Sequence, residues 1–381
     1  MKDVTITTDE AEKRLIKRSD YVSCNVAFID CKTPGSHLKE NYSLIGPGVT
    51  SSADQVINLR EPHGFNIGAA AMPNGITNNL HIHFTAEVFL CFKGAWKFRW
   101  GPNGDDGEIV GQAGDIVSVP TWIFRGFTNV GPDDGWLFTA LGGDDTGGII
   151  WHPSIISGAA QYGLYLSKGN MLIDTDKGAQ KPDDRELITP MSQDEIAKLR
   201  RYSVEEMRQR VVTRAERAWS ADALLDSCLD GHRSEMAPVI GYGISQDRNQ
   251  APRITNPHGF SIEWLKLPPG QSVSRFRIDA KQVLIAFSGS CAITLNGPEA
   301  QVELPLNAWD TASIPGSAWR AIRNLSDSEA EIAVITAGDG RKVPEWAPEV
   351  LEAVAAKGRA IDKNGFIAPA YLLPAYALGK K

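Results

Sequence analysis

Two histidines and a glutamate stand close together as His81-Ile82-His83 followed, after three residues, by Glu87. Imidazole and carboxylate are ordinary donors to divalent first-row metals. Two of the one with one of the other leave coordination positions open for a substrate or oxygen. Residues 81, 83 and 87 share parity, so on one extended strand their side chains point to a single face. The spacing therefore predicts a metal site in which His81, His83 and Glu87 are the ligands. Two further histidines are close enough in sequence to compete. His63 lies in Pro62-His63-Gly64-Phe65, and His152 follows Ile149-Ile150-Trp151, where it either caps a pocket mouth or lies at the surface.

What must position these residues is read from a repeat. Ile45-Gly46-Pro47-Gly48-Val49-Thr50 recurs as Ile240-Gly241-Tyr242-Gly243-Ile244-Ser245, and Pro62-His63-Gly64-Phe65 recurs as Pro257-His258-Gly259-Phe260. Gly75, Gly94, Pro120 and Asn129 return as Gly270, Gly289, Pro315 and Asn324, all at the same spacing of 195 residues. One register held over so long a stretch is a duplication. The counterpart His258 makes a structural role the better reading for His63, because the second copy has no ligand set. Within each copy the pattern is β. Leu80 to Phe92 alternates in part and ends at Lys93-Gly94, and Trp96-Lys97-Phe98-Arg99-Trp100 alternates again. Asp115 to Val119 is a short strand closed by Pro120. Between the copies, Ser192-Gln193-Asp194-Glu195 and Ser203-Val204-Glu205-Glu206 have the form of capping boxes, which predicts two helices within about 190–228. A third is expected from about Pro348 to Lys357, ended by Gly358. The charged stretch from Asp174 to Arg185 reads as an exposed loop.

Gly75-(five residues)-His81-Ile82-His83-(three)-Glu87-(six)-Gly94 resembles the first motif of the cupin superfamily, and Gly114-(five)-Pro120 through Asn129 resembles the second. The resemblance spans both repeats, about two-thirds of the chain. It implies an all-β protein of two tandem cupin barrels (double-stranded β-helix, jelly-roll) joined by a short helical segment. The expected domains are 1–165 with the metal site, 166–235 as loop and helical linker, and 236–381 without ligands. Bicupins of this kind resemble the gentisate- and hydroquinone-type ring-cleaving dioxygenases. That implies Fe(2+) as cofactor, with Mn(2+), Ni(2+) or Zn(2+) as alternatives, and O2 with a phenolic or carboxylated small molecule as partners. Redox-neutral isomerase or lyase chemistry, or metal-dependent binding without turnover, uses the same donors and stays open.

The chain departs from the family where the second motif normally supplies a further histidine. Arg125 stands there instead, and a guanidinium is no ordinary ligand. It is expected either to anchor a substrate anion beside the metal, as a catalytic residue, or to pair with Glu87. Trp122, Phe98 and His152 join Arg125 as candidate substrate contacts, amid aromatics that are mostly core. In strict register the second copy replaces the ligands by Phe276, Ile278 and Gln282, and Arg125 by Arg320. A one-residue slip would instead turn Arg275 and Arg277 inward. Neither version holds a divalent ion; a structural second barrel is expected, and in the slipped version the inward arginines would instead bind an anionic effector or pair with local carboxylates.

Composition bounds the rest. The 381 residues suit two domains, and a formal charge of −7 gives no reason to expect nucleic acid or an anionic membrane. No apolar run reaches membrane-spanning length, and Met1-Lys2-Asp3-Val4-Thr5 does not begin like a signal peptide. Five scattered cysteines without a CxxC pair fit a reducing, cytoplasmic setting. A homo-oligomer is expected from the barrel edges.

Overall fold

The computed structural model describes residues 1–375. The chain forms two compact units, one of Tyr21–Glu216 and the other of Met1–Asp20 together with Arg217–Lys381. The division thus falls elsewhere than at 165 and 236.

Each unit is a pair of sheets with the same strand order. In the first, a seven-stranded sheet runs Val211–Val212, Ile116–Val119, Glu87–Lys93, Gly135–Gly142, Phe65–Met72, Glu40–Ile45, Ile57–Leu59. Its five-stranded partner runs Ile149–Trp151, Thr77–His83, Arg125–Asn129, Ala95–Trp100, Gly107–Gln112. In the second unit the six-stranded sheet is Leu15–Ile16, Thr311–Ile314, Gln282–Ser288, Ala330–Ala337, Phe260–Leu267, Glu235–Ile240. A five-stranded sheet again completes it, from Glu345–Trp346 through Ser272–Arg277, Arg320–Asn324 and Cys291–Leu295 to Val302–Leu306. Pairing is antiparallel throughout these sheets except between Glu40–Ile45 and Ile57–Leu59. This is the tandem arrangement expected from the repeat, in the jelly-roll form that the cupin resemblance implies.

Alternation decides what is inside. Along Ala95–Trp100 every second residue is buried, placing Trp96, Phe98 and Trp100 in the core. Phe89 lies 4.8 Å from Phe98 and 4.9 Å from Phe127, ring centre to ring centre. Each such side chain contributes about 2–3 kcal/mol by leaving water. The residues retained across the repeat are those that close turns. His63 N–H and Gly64 N–H donate to Asp144 Oδ1 at 2.8 and 2.7 Å. In the other unit His258 N–H donates to Asp339 Oδ1 at 2.6 Å, with Gly259 N–H at 3.0 Å. Gly64 and Gly259 have φ of 79° and 81°, a conformation that favours glycine. The His63 ring is pinned as well, its Nδ1–H donating to Glu61 O at 2.6 Å.

The helices Gln193–Ala197 and Val204–Arg208 form with both capping boxes intact, and Pro348–Ala356 ends before Gly358 at φ 73°. Sequence reasoning missed Thr8–Arg14, although its Thr7/Glu10 capping box has the same form. That helix and the strand Leu15–Ile16 belong to an exchange of arms. Leu15 and Ile16 pair with Ala312 and Thr311, and Arg18 N–H donates to Asp310 Oδ1 at 2.7 Å. In the first unit Val211 and Val212 pair with Val117 and Ile116, and Arg214 N–H donates to Asp115 Oδ1 at 2.8 Å. Each barrel therefore carries the arm that precedes the other barrel in the chain. Deleting residues 1–20 removes Ile6, Ala11 and Leu15 from the second core, together with the buried Ile16. It is expected to lower that unit's stability by about 5 kcal/mol, from ~1.5–3 kcal/mol per aliphatic side chain less denatured-state burial. Scanning calorimetry should show one transition moving down while the other stays.

Among the described residues no helix is long and apolar enough to cross a membrane, and all five cysteines are free thiols.

Candidate metal centre

The strand Thr77–His83 brings His81 and His83 to one face by simple alternation. His81 sits opposite Arg125 on one neighbouring strand and Trp151 on the other, and His83 sits opposite Ile149. The chain then leaves that sheet. Phe84-Thr85-Ala86 is not strand, and Glu87 is the first residue of Glu87–Lys93 in the opposite sheet, facing Val119 and Leu141. The single strand expected from Leu80 to Phe92 is thus two, and shared parity is not what unites the three residues. A corner between sheets does that.

The ligating atoms of His81, His83 and Glu87 all lie within 4.8 Å of one another, with His83 Nε2 3.4 Å from Glu87 Oε1. Three donors held at about 2.1 Å from one ion lie roughly 3–4 Å apart, so a small closing movement makes a first coordination shell. All three side chains are buried. His81 Nδ1 is 2.6 Å from Asn79 O; a carbonyl only accepts, so Nδ1 carries the proton and Nε2 keeps its lone pair. Burial and the nearby Arg125 push the His81 imidazole well below its ordinary pKa, and His83 is lowered for the same reasons. Burial acts to raise Glu87, but His83 and Arg125 beside it hold its carboxyl well below the usual carboxylate range. Two neutral imidazoles and an ionised carboxylate are the protonation states that a divalent metal requires. The donors fit such an ion.

Arg125 is committed to Glu87. Its Nε–H and Nη2–H both donate to Glu87 Oε2, at 3.1 and 2.9 Å, and Nη1–H reaches His81 O at 3.3 Å and Ile123 O at 3.4 Å. Of the two roles the sequence left open, the geometry favours the pair with Glu87 over a substrate anchor. One carboxylate oxygen is occupied by the fork, and Oε1 is left facing His83. The second unit repeats this arrangement without the carboxylate charge: Arg320 Nη1–H donates to Gln282 Oε1 at 2.6 Å. There Phe276 and Ile278 are buried core residues, as in the strict register. Arg275 pairs with Glu349, and Arg277 with Asp3 and Glu345.

A small cavity of about 50 Å³ opens on the three donors. Phe127 lines it, whereas Arg125, Trp122, Phe98 and His152 do not. Trp122 is 47 % exposed at φ 58° and packs on Phe84; Phe98 is in the aromatic core. His152 caps the helix Pro153–Ala160, its Nδ1 accepting from Ser154 N–H at 3.2 Å, and packs edge-on against Phe124. Sequence reasoning missed Lys39, Asn78 and Tyr42, which do line it. They sit in segments whose burial depends on tertiary contacts, and no short motif marks them.

His63 is absent from both the donor cluster and the cavity wall. His63→Ala is expected to cost about 1–2 kcal/mol through a lost hydrogen bond and packing, and to leave metal content unchanged. Metal loss at an unaltered melting temperature would show that it acts as a ligand.

The sequence matches no protein-family model, and a search of curated proteins finds no match. Solved structures are similar in fold. Oxalate decarboxylase from Lactobacillus farciminis has 11 % identity and a TM-score of 0.55, covering 89 % of this chain and 90 % of its own. Oxalate decarboxylase from Bacillus subtilis has 10 % identity and a TM-score of 0.53, covering 98 % and 86 %. Vicilin from hazelnut, Corylus avellana, has 9 % identity and a TM-score of 0.52, covering 87 % of each chain.

Proposed function

From the premise that the chain is a bicupin, two cupin barrels in tandem, we propose that it is a metal-dependent enzyme working in the N-terminal barrel alone. The reaction we assign is that of a non-haem Fe(II) dioxygenase cleaving a hydroxylated aromatic or a related activated C–C bond. The observation that carries this reading is the three-donor set of His81, His83 and Glu87 beside a buried cavity, with Arg125 where a fourth ligand would stand. His81, His83 and Glu87 would hold divalent iron, which would supply open coordination positions and redox chemistry toward O2.

The residues of the chain supply the rest. Asn79 O fixes the His81 ring and its tautomer. Arg125 fixes the Glu87 carboxylate through Oε2 and leaves Oε1 for the ion. Phe127, Met72, Leu141 and Ile149 make much of the cavity wall apolar, which excludes water and suits an aromatic ring. Free cysteines fit a reducing compartment, and we place the enzyme in the cytoplasm as a homo-oligomer.

Oxygen uptake by protein reconstituted anaerobically with Fe(II), across a panel of hydroxylated aromatics, tests the assignment. A dioxygenase consumes one O2 per ring opened. Turnover that needs no oxygen would replace it by the redox-neutral isomerase or lyase reading, and tight binding without turnover by that of a binding protein.

A further inference from the structure

The cavity has one fixed cation in its wall, and it is not the arginine to which the sequence drew attention. Among the described residues lining it, Lys39 is the single lysine or arginine. The side chain is 4 % exposed and just precedes the strand Glu40–Ile45. Its ammonium is gripped by Asp30, to which it donates, and by Asn78 Oδ1 at 2.7 Å. These take two of its three N–H donors. Asp30 is fully buried, and its second oxygen accepts from Ser36 Oγ at 3.0 Å and Asn79 Nδ2 at 3.0 Å.

Lys39 lines the cavity and Asp30 does not, so the pair stands with its lysine on the cavity side, in a wall that also carries Glu40 and Glu87. The rings of Phe28 and Trp151 flank the ammonium, 5.1 and 5.6 Å from Nζ, and hold it in place. Asn78 lies between it and the donors, its Nδ2 3.5 Å from His81 Nδ1; both nitrogens carry hydrogen, so this is proximity and not a hydrogen bond. Burial pulls the Lys39 pKa down, and the adjacent carboxylate of Asp30 opposes that and favours the cation. As a device for stability the arrangement is poor, since a buried ion pair is often no better than apolar residues of similar volume. As a ligand contact it is well built: the cation is fixed, desolvated and one side chain away from His81.

We propose that Lys39 determines substrate specificity by binding a carboxylate on the molecule that the three donors hold. This rests on the metal reading for the second anchor, and narrows the substrate class to an aromatic acid bearing both a ring hydroxyl and a carboxylate. Lys39→Met alone would strand the Asp30 charge, so the test uses Lys39→Met with Asp30→Asn, which removes both charges together.

Calorimetric titration with 2,5-dihydroxybenzoate and with hydroquinone, the same ring with and without a carboxylate, is done on metal-free and on Zn(II)-treated protein. The native chain should bind the acid at least tenfold more tightly in either form. In the double variant that preference should fall to within about twofold, with Zn(II) content per chain unaltered. A preference that survives in the variant, a native chain without preference, or no measurable binding of either probe would overturn the assignment. Failure of Zn(II) to bind or to strengthen either probe would sink the metal reading, while the ratio of affinities in metal-free protein would still decide the role of Lys39.

Discussion

His81→Ala is expected to weaken binding of a divalent transition metal by two to three orders of magnitude while the barrel stays folded. Four-ligand zinc sites release about 10–16 kcal/mol on binding, so one ligand is worth roughly 3–4 kcal/mol. The fold does not depend on the ion, because the first core is already filled by Phe89, Trp96, Phe98, Trp100 and Phe127, all buried. Titration with Co(II) or Zn(II), read beside circular dichroism and a melting curve, separates the two effects. The native chain should gain melting temperature on metal addition and the variant should gain almost none. His83→Ala should behave in the same way.

Arg125→Ala is expected to produce the largest loss of stability of any single substitution at the site. Breaking a buried ion pair by removing one partner costs about 3–5 kcal/mol, because the other charge stays buried without compensation. For a unit of this size that lowers the melting temperature by about 6–20 °C. The pH dependence has a definite sign. In the native chain the Glu87 carboxyl is held below its ordinary value. Its contribution is therefore complete above the unfolded carboxylate value of about 4.3 and is lost as pH falls through the lower folded value. Without Arg125 the carboxyl loses one of the groups that hold it down and its folded value rises, so the deficit of the variant is greatest near neutral pH and shrinks on acidification. Metal affinity should fall as well, by about 10–100-fold, since the orientation of Glu87 depends on the guanidinium fork. Arg125→Lys should fall between the two proteins. Melting curves of metal-free protein between pH 4 and 8 would count against the pairing if the variant showed no deficit at pH 7.

Much of this architecture is legible in the sequence because the chain states it twice. His63 and His258, and Asn129 and Asn324, recur at one spacing since each closes a turn that a jelly-roll must make. Asn129 Nδ2–H donates to Met72 O and Asp133 O, and Asn324 Nδ2–H to Leu267 O and Ser328 O. The donor trio is legible as residue types in one short segment, although the reason offered for its convergence, a continuous strand, is replaced by a corner between two sheets. The exchanged arms escape a search at a single spacing. Thr7 and Glu10 correspond to Ser203 and Glu206 one residue out of that register, and they share a capping function rather than identical residues. The role of Arg125 needed three dimensions, because both candidate partners are anionic and only distance separates them. Lys39 and Asp30 are out of reach of sequence reasoning for a plainer reason. Two charged residues nine apart in an irregular segment look solvated until the fold buries them.

The number of ions held per chain tests the central claim most directly. Protein loaded anaerobically with excess Fe(II), desalted and analysed for metal and for protein should retain close to one ion per chain, and none in His81→Ala. Retention of two ions, with one surviving in His81→Ala, would show that the second barrel binds metal despite Phe276, Ile278 and Gln282. Retention of none by the native chain would remove the metal centre from the first.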